Sequence, residues 1–119
     1  MKVQIKRVYE AADHADGYRI LVDRLWPRGL TKESAAVDEW LRDLAPSTEL
    51  RRWFNHAPER WAEFKRRYLH ELQSEAAVAA LGRLSEVAAK QRVTLLYGAK
   101  DETHNNAVVL LEHLKRHHD

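Results

Sequence analysis

The pattern of apolar and polar positions predicts three short β-strands. Apolar and polar residues alternate in "KVQIKRVY", where β-branched side chains are frequent, as is typical of a strand. The segment "YRILVD" is a nearly continuous apolar run, which suits a strand buried on both faces. A third run, "RVTLLYG", lies nearer the end of the chain. The segments "EAADHADG" and "RLWPRGLT", which follow the first two strands, carry the glycine and proline expected of turns and loops.

Apolar residues at helical spacing occupy the chain between the second and third strands. One helix is predicted to end at Pro46, because apolar residues precede it at positions i, i+3, i+4 and i+7: Val37, Trp40, Leu41 and Leu44. Ser47, Pro58 and Ser74 each stand where a further helix would begin. A last helix follows the third strand, with a predicted buried face of Ala107, Val108, Leu111 and Leu114.

These elements predict an α/β fold: one compact domain over residues 1–119, with a small, mostly parallel three-stranded sheet and helices packed around it. The second and third strands are expected to be parallel neighbours because helices connect them. The relation of the first two strands stays open. About eight residues between them are too few for an ordinary crossover helix, so either a hairpin at Asp16-Gly17 or an irregular parallel crossover fits.

Composition narrows the class of protein. With 45% apolar and 32% charged residues, the chain has the make-up of a soluble globular protein, and no apolar window is long enough to span a membrane. The charged N-terminal segment does not resemble a signal peptide, so a cytoplasmic location and no membrane partner are predicted. The chain has no cysteine, which excludes disulfides, thiolate chemistry and cysteine-based zinc sites. His113 and His117 are four residues apart without an evident third ligand, so neither a metal nor a cofactor is predicted.

Candidate chemistry concentrates in the loops after the second and third strands. In open α/β sheets, ligands bind outside the carboxyl ends of the strands, so "RLWPRG" and "GAKDETHNN" are expected to meet at one edge. Arg24, Arg28 and Lys100, together with the first turn of the last helix, would form a phosphate-like anion site there. The net charge of +2 is too small to indicate nucleic-acid binding by itself.

Residues around this edge suggest catalytic roles. His104 or Asp101 would act as a general acid or base, and Asn105 would orient a group or donate to developing charge. The wall of the pocket is predicted to include Trp26, Tyr97 and His56.

The same residues have structural explanations. Asp101, Glu102 or Thr103 would cap the last helix, and Arg24 would pair with Asp23 or another nearby carboxylate. His104 and Asn105 would then be surface residues, and Trp26 would plug the sheet edge. The remaining tryptophans lie on apolar faces and are predicted to be core residues: Trp40, Trp53 and Trp61.

Three blocks of the chain closely resemble the YeaO-like family of bacterial proteins, a branch of a domain family of unknown function. They are "GYRILVDRLWPRGLTK", "LAPSTELRRWFNHAPERWAEFKRRYLHEL" and "TLLYGAKDETHNNAVVLLEHL". The resemblance implies a small cytoplasmic α/β domain but no established activity. Wider relatives carry a cysteine and then a Cys-His-Arg segment in the last loop. Tyr97 and the segment His104-Asn105-Asn106 stand near those positions here, so the resemblance implies that thiol chemistry is lost.

Three functions therefore compete, in decreasing order of support. The first is an anion site, with or without enzymatic action on an anionic small molecule. The second is a nucleotide or nucleic-acid binding module that uses Trp26 or Tyr97 for stacking. The third is a protein-interaction domain without a ligand, which uses the tryptophan-rich middle helices. The oligomeric state does not follow from the sequence.

Overall fold

Four parallel strands form the centre of the computed structural model, which describes residues 2–117. The strands are β1 (Val3–Arg7), β2 (Tyr18–Leu21), β3 (Glu39–Trp40) and β4 (Val93–Tyr97), in the spatial order β1-β4-β2-β3. The helices are α1 (Lys32–Ala35), α2 (Thr48–Phe54), α3 (Trp61–Glu71), α4 (Glu75–Lys90) and α5 (Asn106–Arg116). Short 3-10 turns occur at His14–Asp16, Arg42–Leu44 and Pro58–Arg60.

The central strand is β4, which pairs with β1 on one side and with β2 on the other. Ile5 and Ile20 both stand opposite Leu95 in the register. All five residues of β4 are buried, which explains its nearly continuous apolar sequence. The prediction that this strand and β2 are parallel neighbours is confirmed.

A parallel crossover, rather than a hairpin, connects β1 and β2, which lie on opposite sides of β4. The 3-10 turn His14–Asp16 occupies this connection, and the Asp13 side chain caps it by accepting a hydrogen bond from the Ala15 N–H. Gly17 then has φ of 66°, and a Cβ there would clash with the Arg92 carbonyl. This connection therefore depends on glycine.

The sheet has four strands, not the predicted three, because the segment around Trp40 pairs with β2 instead of forming a helix. The Asp38 N–H donates to the Arg19 carbonyl at 2.9 Å, and the Leu41 N–H donates to the Leu21 carbonyl at 3.0 Å. Of the apolar residues at helical spacing, Trp40 lies in a two-residue edge strand and Leu44 in a 3-10 turn. Pairing with the sheet supplies backbone hydrogen bonds that compete with those of a helix.

Apolar residues form a core on each face of the sheet. The larger cluster joins helices α2 to α5 to one face and includes Val93, Leu95 and Tyr97 of β4. The smaller cluster contains Leu96 on the other face, covered by Trp26 and by half-buried Trp40. Successive side chains of β4 therefore enter different clusters, as strand geometry requires. Within residues 2–117, no helix has the length and apolar character needed to cross a membrane.

Candidate functional site

A cavity of about 620 Å³ opens where β2 and β4 end and α5 begins. The side chains that line it fall into three groups. The basic group is Arg24, Arg51, His56, Lys100 and His104; the acidic group is Asp23 and Asp101; and the apolar group is Leu25, Pro46, Phe54, Phe64 and Ala99. Gly98, Asn105 and Asn106 complete the lining. Its position at the carboxyl ends of parallel strands is the one in which α/β proteins place their ligands.

Asp23 joins the three elements that meet at this cavity. Its Oδ2 accepts a hydrogen bond from the Gly98 N–H at 2.8 Å, and its Oδ1 accepts one from Asn106 Nδ2 at 3.1 Å. Asn106 Nδ2 also donates to the Val22 carbonyl at 2.9 Å. A Cβ on residue 98 would lie only 3.2 Å from Asp23 Oδ2, so glycine permits this close approach.

The ionisation of Asp23 is disfavoured by its surroundings. Burial raises the pKa of this carboxyl, and the hydrogen bonds from Gly98 and Asn106 and the charge of Arg51 offset only part of that rise. Asp23 is therefore a cavity-lining carboxyl whose charged form is less favoured than that of an exposed aspartate.

Arg24 is held by backbone carbonyls and not by a carboxylate. Its Nε donates to the Pro46 carbonyl at 3.1 Å, and its Nη2 donates to the Ala45 carbonyl at 3.2 Å. Among residues 2–117, no Asp or Glu oxygen lies within 4.0 Å of a side-chain nitrogen of Arg24, Arg51 or Lys100. The ion pair that was expected between Arg24 and a neighbouring carboxylate is therefore not formed within residues 2–117.

Asp101 organises the turn that precedes α5. Its Oδ1 accepts hydrogen bonds from the N–H groups of Thr103, at 2.9 Å, and His104, at 3.0 Å. Its Oδ2 lies 2.9 Å from His104 Nδ1. The hydrogen bond from the Thr103 N–H, together with those from the Thr103 hydroxyl and His104, lowers the pKa of Asp101 to about 2. The His104 ring also meets the Trp61 ring edge-on at 5.2 Å, which holds the imidazole beside the cavity.

The cap of α5 is Asn105, so the prediction of Asp101, Glu102 or Thr103 in that role is wrong. Asn105 has extended backbone dihedral angles, and its side chain accepts a hydrogen bond from the Val108 N–H at 3.1 Å. Its Nδ2 donates to the Asp101 carbonyl at 2.9 Å. The side chain is buried with both polar atoms engaged by the backbone, which is the arrangement of a structural residue.

His56 reaches the cavity from the loop after α2, as the sequence suggested. It has φ of 54° and follows Asn55 with φ of 46°, two consecutive left-handed residues without glycine. Such residues are uncommon and cluster at functional sites and tight turns.

Three of the predicted site residues lie away from the cavity: Arg28, Trp26 and Tyr97. Trp26 packs at 5.4 Å against the Trp40 ring in the smaller core cluster, and its Nε1 donates to the Leu30 carbonyl at 2.7 Å. Tyr97 is buried in the larger cluster. The loop after β2 folds back over the other face of the sheet, which carries Trp26 and Arg28 away from α5. Of the three residues predicted to form the pocket wall, only His56 lines the cavity.

Arg51 and Asn106 are lining residues that the sequence did not single out. Arg51 is one of two consecutive arginines on α2, and nothing in their spacing distinguishes it from Arg52. Asn106 is the second asparagine of "HNN", and its use as a donor to Asp23 depends on the packing of α5 against β2. Among residues 2–117, no group of three or more His, Asp or Glu side chains is placed to hold a metal ion.

Comparison with known proteins identifies the family. A family model described as the inactive DUF488-N3 subclade matches residues 2–119. The uncharacterised protein YeaO of Escherichia coli is 49% identical over 115 residues, covering 97% of this chain and 98% of that protein. Uncharacterised proteins of Mycobacterium tuberculosis and Mycobacterium bovis are each 42% identical over 111 residues, covering 93% of this chain and 92% of theirs. No solved structure matches. This chain therefore belongs to the inactive DUF488-N3 subclade and is a YeaO-like protein.

Proposed function

We propose that this protein binds a small anion in the cavity at the carboxyl ends of β2 and β4 and does not transform it. One observation carries the proposal: Arg24, Arg51 and Lys100 line the same cavity, and none has a carboxylate within 4.0 Å among residues 2–117. Some cations elsewhere on the chain, including Lys6 and Arg83, are paired with acids. Positive charges gathered in a concavity without carboxylate partners favour an anionic occupant.

The start of α5 adds to this preference. Asn105 and Asn106 line the cavity, so the first turn of an eleven-residue helix faces the space where the anion would lie. Its N–H groups and the helix dipole favour negative charge at that end. The Asn105 cap engages the Val108 N–H, which is the third amide of the helix.

Several features support binding without catalysis. The chain has no cysteine, so the cavity contains no thiol nucleophile. Asp101 is engaged by the backbone of its own turn and by His104, which gives it a structural role. The family to which the chain belongs is itself described as inactive.

Acid–base chemistry at His104 is a second candidate function, because its Nδ1 lies 2.9 Å from Asp101 Oδ2 at the edge of the cavity. A carboxylate that orients an imidazole is a common arrangement in catalysis. The nucleic-acid alternative has less support, since both predicted stacking residues, Trp26 and Tyr97, lie outside the cavity lining.

Calorimetric titration with a panel of anions tests the proposal. The panel runs from phosphate, sulfate and pyrophosphate to organic carboxylates, sugar phosphates and nucleotides. A ligand of the cavity should bind the wild type about ten- to a hundredfold more tightly than the variants Arg51→Ala and Lys100→Ala, because a charge-assisted hydrogen bond contributes roughly 1.5–3 kcal/mol.

The matched control is Arg52→Ala, which removes the adjacent exposed arginine of α2 that does not line the cavity. Binding by Arg52→Ala should equal that of the wild type. The proposal fails if no anion binds, or if Arg51→Ala and Arg52→Ala bind equally well. Chemical conversion of a bound ligand that stops in His104→Ala would favour the enzymatic candidate instead.

A further inference from the structure

We propose that the ligand is an amphipathic monoanion: a single carboxylate-type head group joined to an apolar body. This inference rests on the proposed anion site and adds the chemical class of its ligand. Two features carry it, namely the charge balance of the lining residues and the apolar surface within the same cavity.

The charge balance favours one negative charge on the ligand. Arg24, Arg51 and Lys100 contribute three positive charges, and Asp23 and Asp101 contribute two negative charges when ionised. When both carboxyls are ionised and the histidines are counted as uncharged, the lining has one net positive charge. A head group with one charge is compensated, whereas a polyanion such as pyrophosphate would be repelled by both carboxylates.

An apolar wall faces solvent within the same cavity. Leu25 is 58% exposed, and the same cavity is lined by the nearly buried rings of Phe54 and Phe64, which stack with centroids 4.4 Å apart. Pro46 extends this wall. An apolar body placed here would remove the Leu25 side chain from water. This burial contributes favourable binding free energy that an inorganic ion cannot provide.

The size of the cavity agrees with an organic ligand. Its volume of about 620 Å³ lies within the range of small-molecule sites, roughly 300–1,000 Å³. An inorganic ion at the start of α5 would leave the apolar wall in contact with water. A ligand that extends from Lys100 and Arg51 to Leu25 would use both parts of the lining.

Titration of the full chain with three probes tests the inference: naphthoate, its neutral amide naphthamide, and pyrophosphate. Naphthoate combines a monoanionic head with an apolar body, and each of the other probes lacks one of these two features. Naphthoate is expected to bind at least about tenfold more tightly than either, and Arg51→Ala should weaken it by a similar factor while Arg52→Ala leaves it unchanged.

Two substitutions of apolar residues distinguish the contribution of the apolar wall to binding from that of the charged residues. Leu25→Ala should weaken naphthoate roughly fivefold and leave pyrophosphate unchanged, because it removes apolar contact but no charge. Val78→Ala is the matched control, since Val78 is 55% exposed on α4 and does not line the cavity.

The outcomes distinguish this inference from the anion site itself. If pyrophosphate binds more tightly than naphthoate and depends on Arg51, the anion site stands and the amphipathic ligand is wrong. If naphthamide binds as tightly as naphthoate, or if Leu25→Ala has no more effect than Val78→Ala, the inference is also wrong. If no probe and no panel anion binds, both proposals fail.

Discussion

Asp16 and Arg19 form an ion pair in which both side chains are nearly inaccessible, with 4% and 5% exposure. Arg19 Nη1 lies 2.5 Å from Asp16 Oδ2, and Lys6 adds a second bond to the carboxylate at 3.1 Å. Arg19 also donates to the carbonyls of Ala35 and Ala36. The sequence indicates only that Asp16 is a turn residue. Its ion pairs with Lys6 of β1 and Arg19 of β2, and through Arg19 the contact with the end of α1, follow only from the packing of these elements.

Substitution Asp16→Asn should destabilise the fold by about 3 kcal/mol at pH 7, because it leaves the Arg19 guanidinium buried without its counter-charge. Burial by itself raises the pKa of Asp16, but hydrogen bonds from the Asp13 N–H, Lys6 and Arg19 outweigh it and lower the pKa below its usual value. A lowered folded-state pKa contributes stability above the unfolded-state pKa, and this contribution is lost as the pH falls through the folded-state value.

Urea unfolding of the wild type and Asp16→Asn between pH 7 and pH 3 measures this effect. The difference in free energy should be constant near neutrality and should narrow below about pH 4. Asp43→Asn, which removes an exposed carboxylate, serves as the control and should change stability by no more than about 0.5 kcal/mol. A difference that persisted unchanged at pH 3 would contradict the assigned role of the ion pair.

At the scale of elements, the predicted starts of α2 and α4 are confirmed. Ser47 caps α2 and Ser74 caps α4, each by accepting a hydrogen bond from the backbone three residues ahead. The segment 37–44 shows the limit of this reasoning. The spacing of its apolar residues fits a helix, but residues 39–40 pair with the edge of β2 instead. The Trp40 Nε1 also donates a hydrogen bond to the Asp23 carbonyl at 2.6 Å.

The cap of α5 should be worth more than an ordinary exposed cap. Asn105→Ala should cost about 2 kcal/mol, because it removes the bond to the Val108 N–H and leaves the partly buried Asp101 carbonyl without its donor. Ser74→Ala removes a single exposed cap and should cost about 1 kcal/mol. Chemical denaturation of both variants provides the measurement, and equal losses would show that the second hydrogen bond of Asn105 adds nothing.

For the whole molecule, the order β1-β4-β2-β3 determines both the site and the distribution of stability. Placing β2 beside β4 brings Arg24 and Lys100, which are distant in sequence, to one cavity. The same packing brings in Arg51 from α2, which local sequence did not indicate. The strand order also gives β4 two partners, whereas β3 pairs with β2 alone.

The rates of amide hydrogen exchange should reflect how many partner strands each strand has. The buried amides of β4 are expected to exchange only through global unfolding, roughly a hundredfold more slowly than the Leu41 N–H that joins β3 to the sheet. Native-state exchange followed by NMR resolves the two classes. The amides of β1, an edge strand with five paired residues, should be intermediate. Equal protection of Leu41 and β4 would show that β3 unfolds only together with the central sheet.

The sequence by itself determined the elements whose signals are local: the three longer strands, the capped helices α2 and α4, and the parallel arrangement of β2 and β4. It also located the edge of the sheet at which the cavity opens, because strand ends and helix starts can be identified from neighbouring residues. Tertiary structure alone decided that residues 39–40 form a strand, that Trp26 covers the opposite face of the sheet, and that Arg51 and Asp23 share a cavity with Lys100. These outcomes depend on contacts between residues distant in the chain, which compete with local preference and prevail when they satisfy more backbone hydrogen bonds or bury more apolar surface.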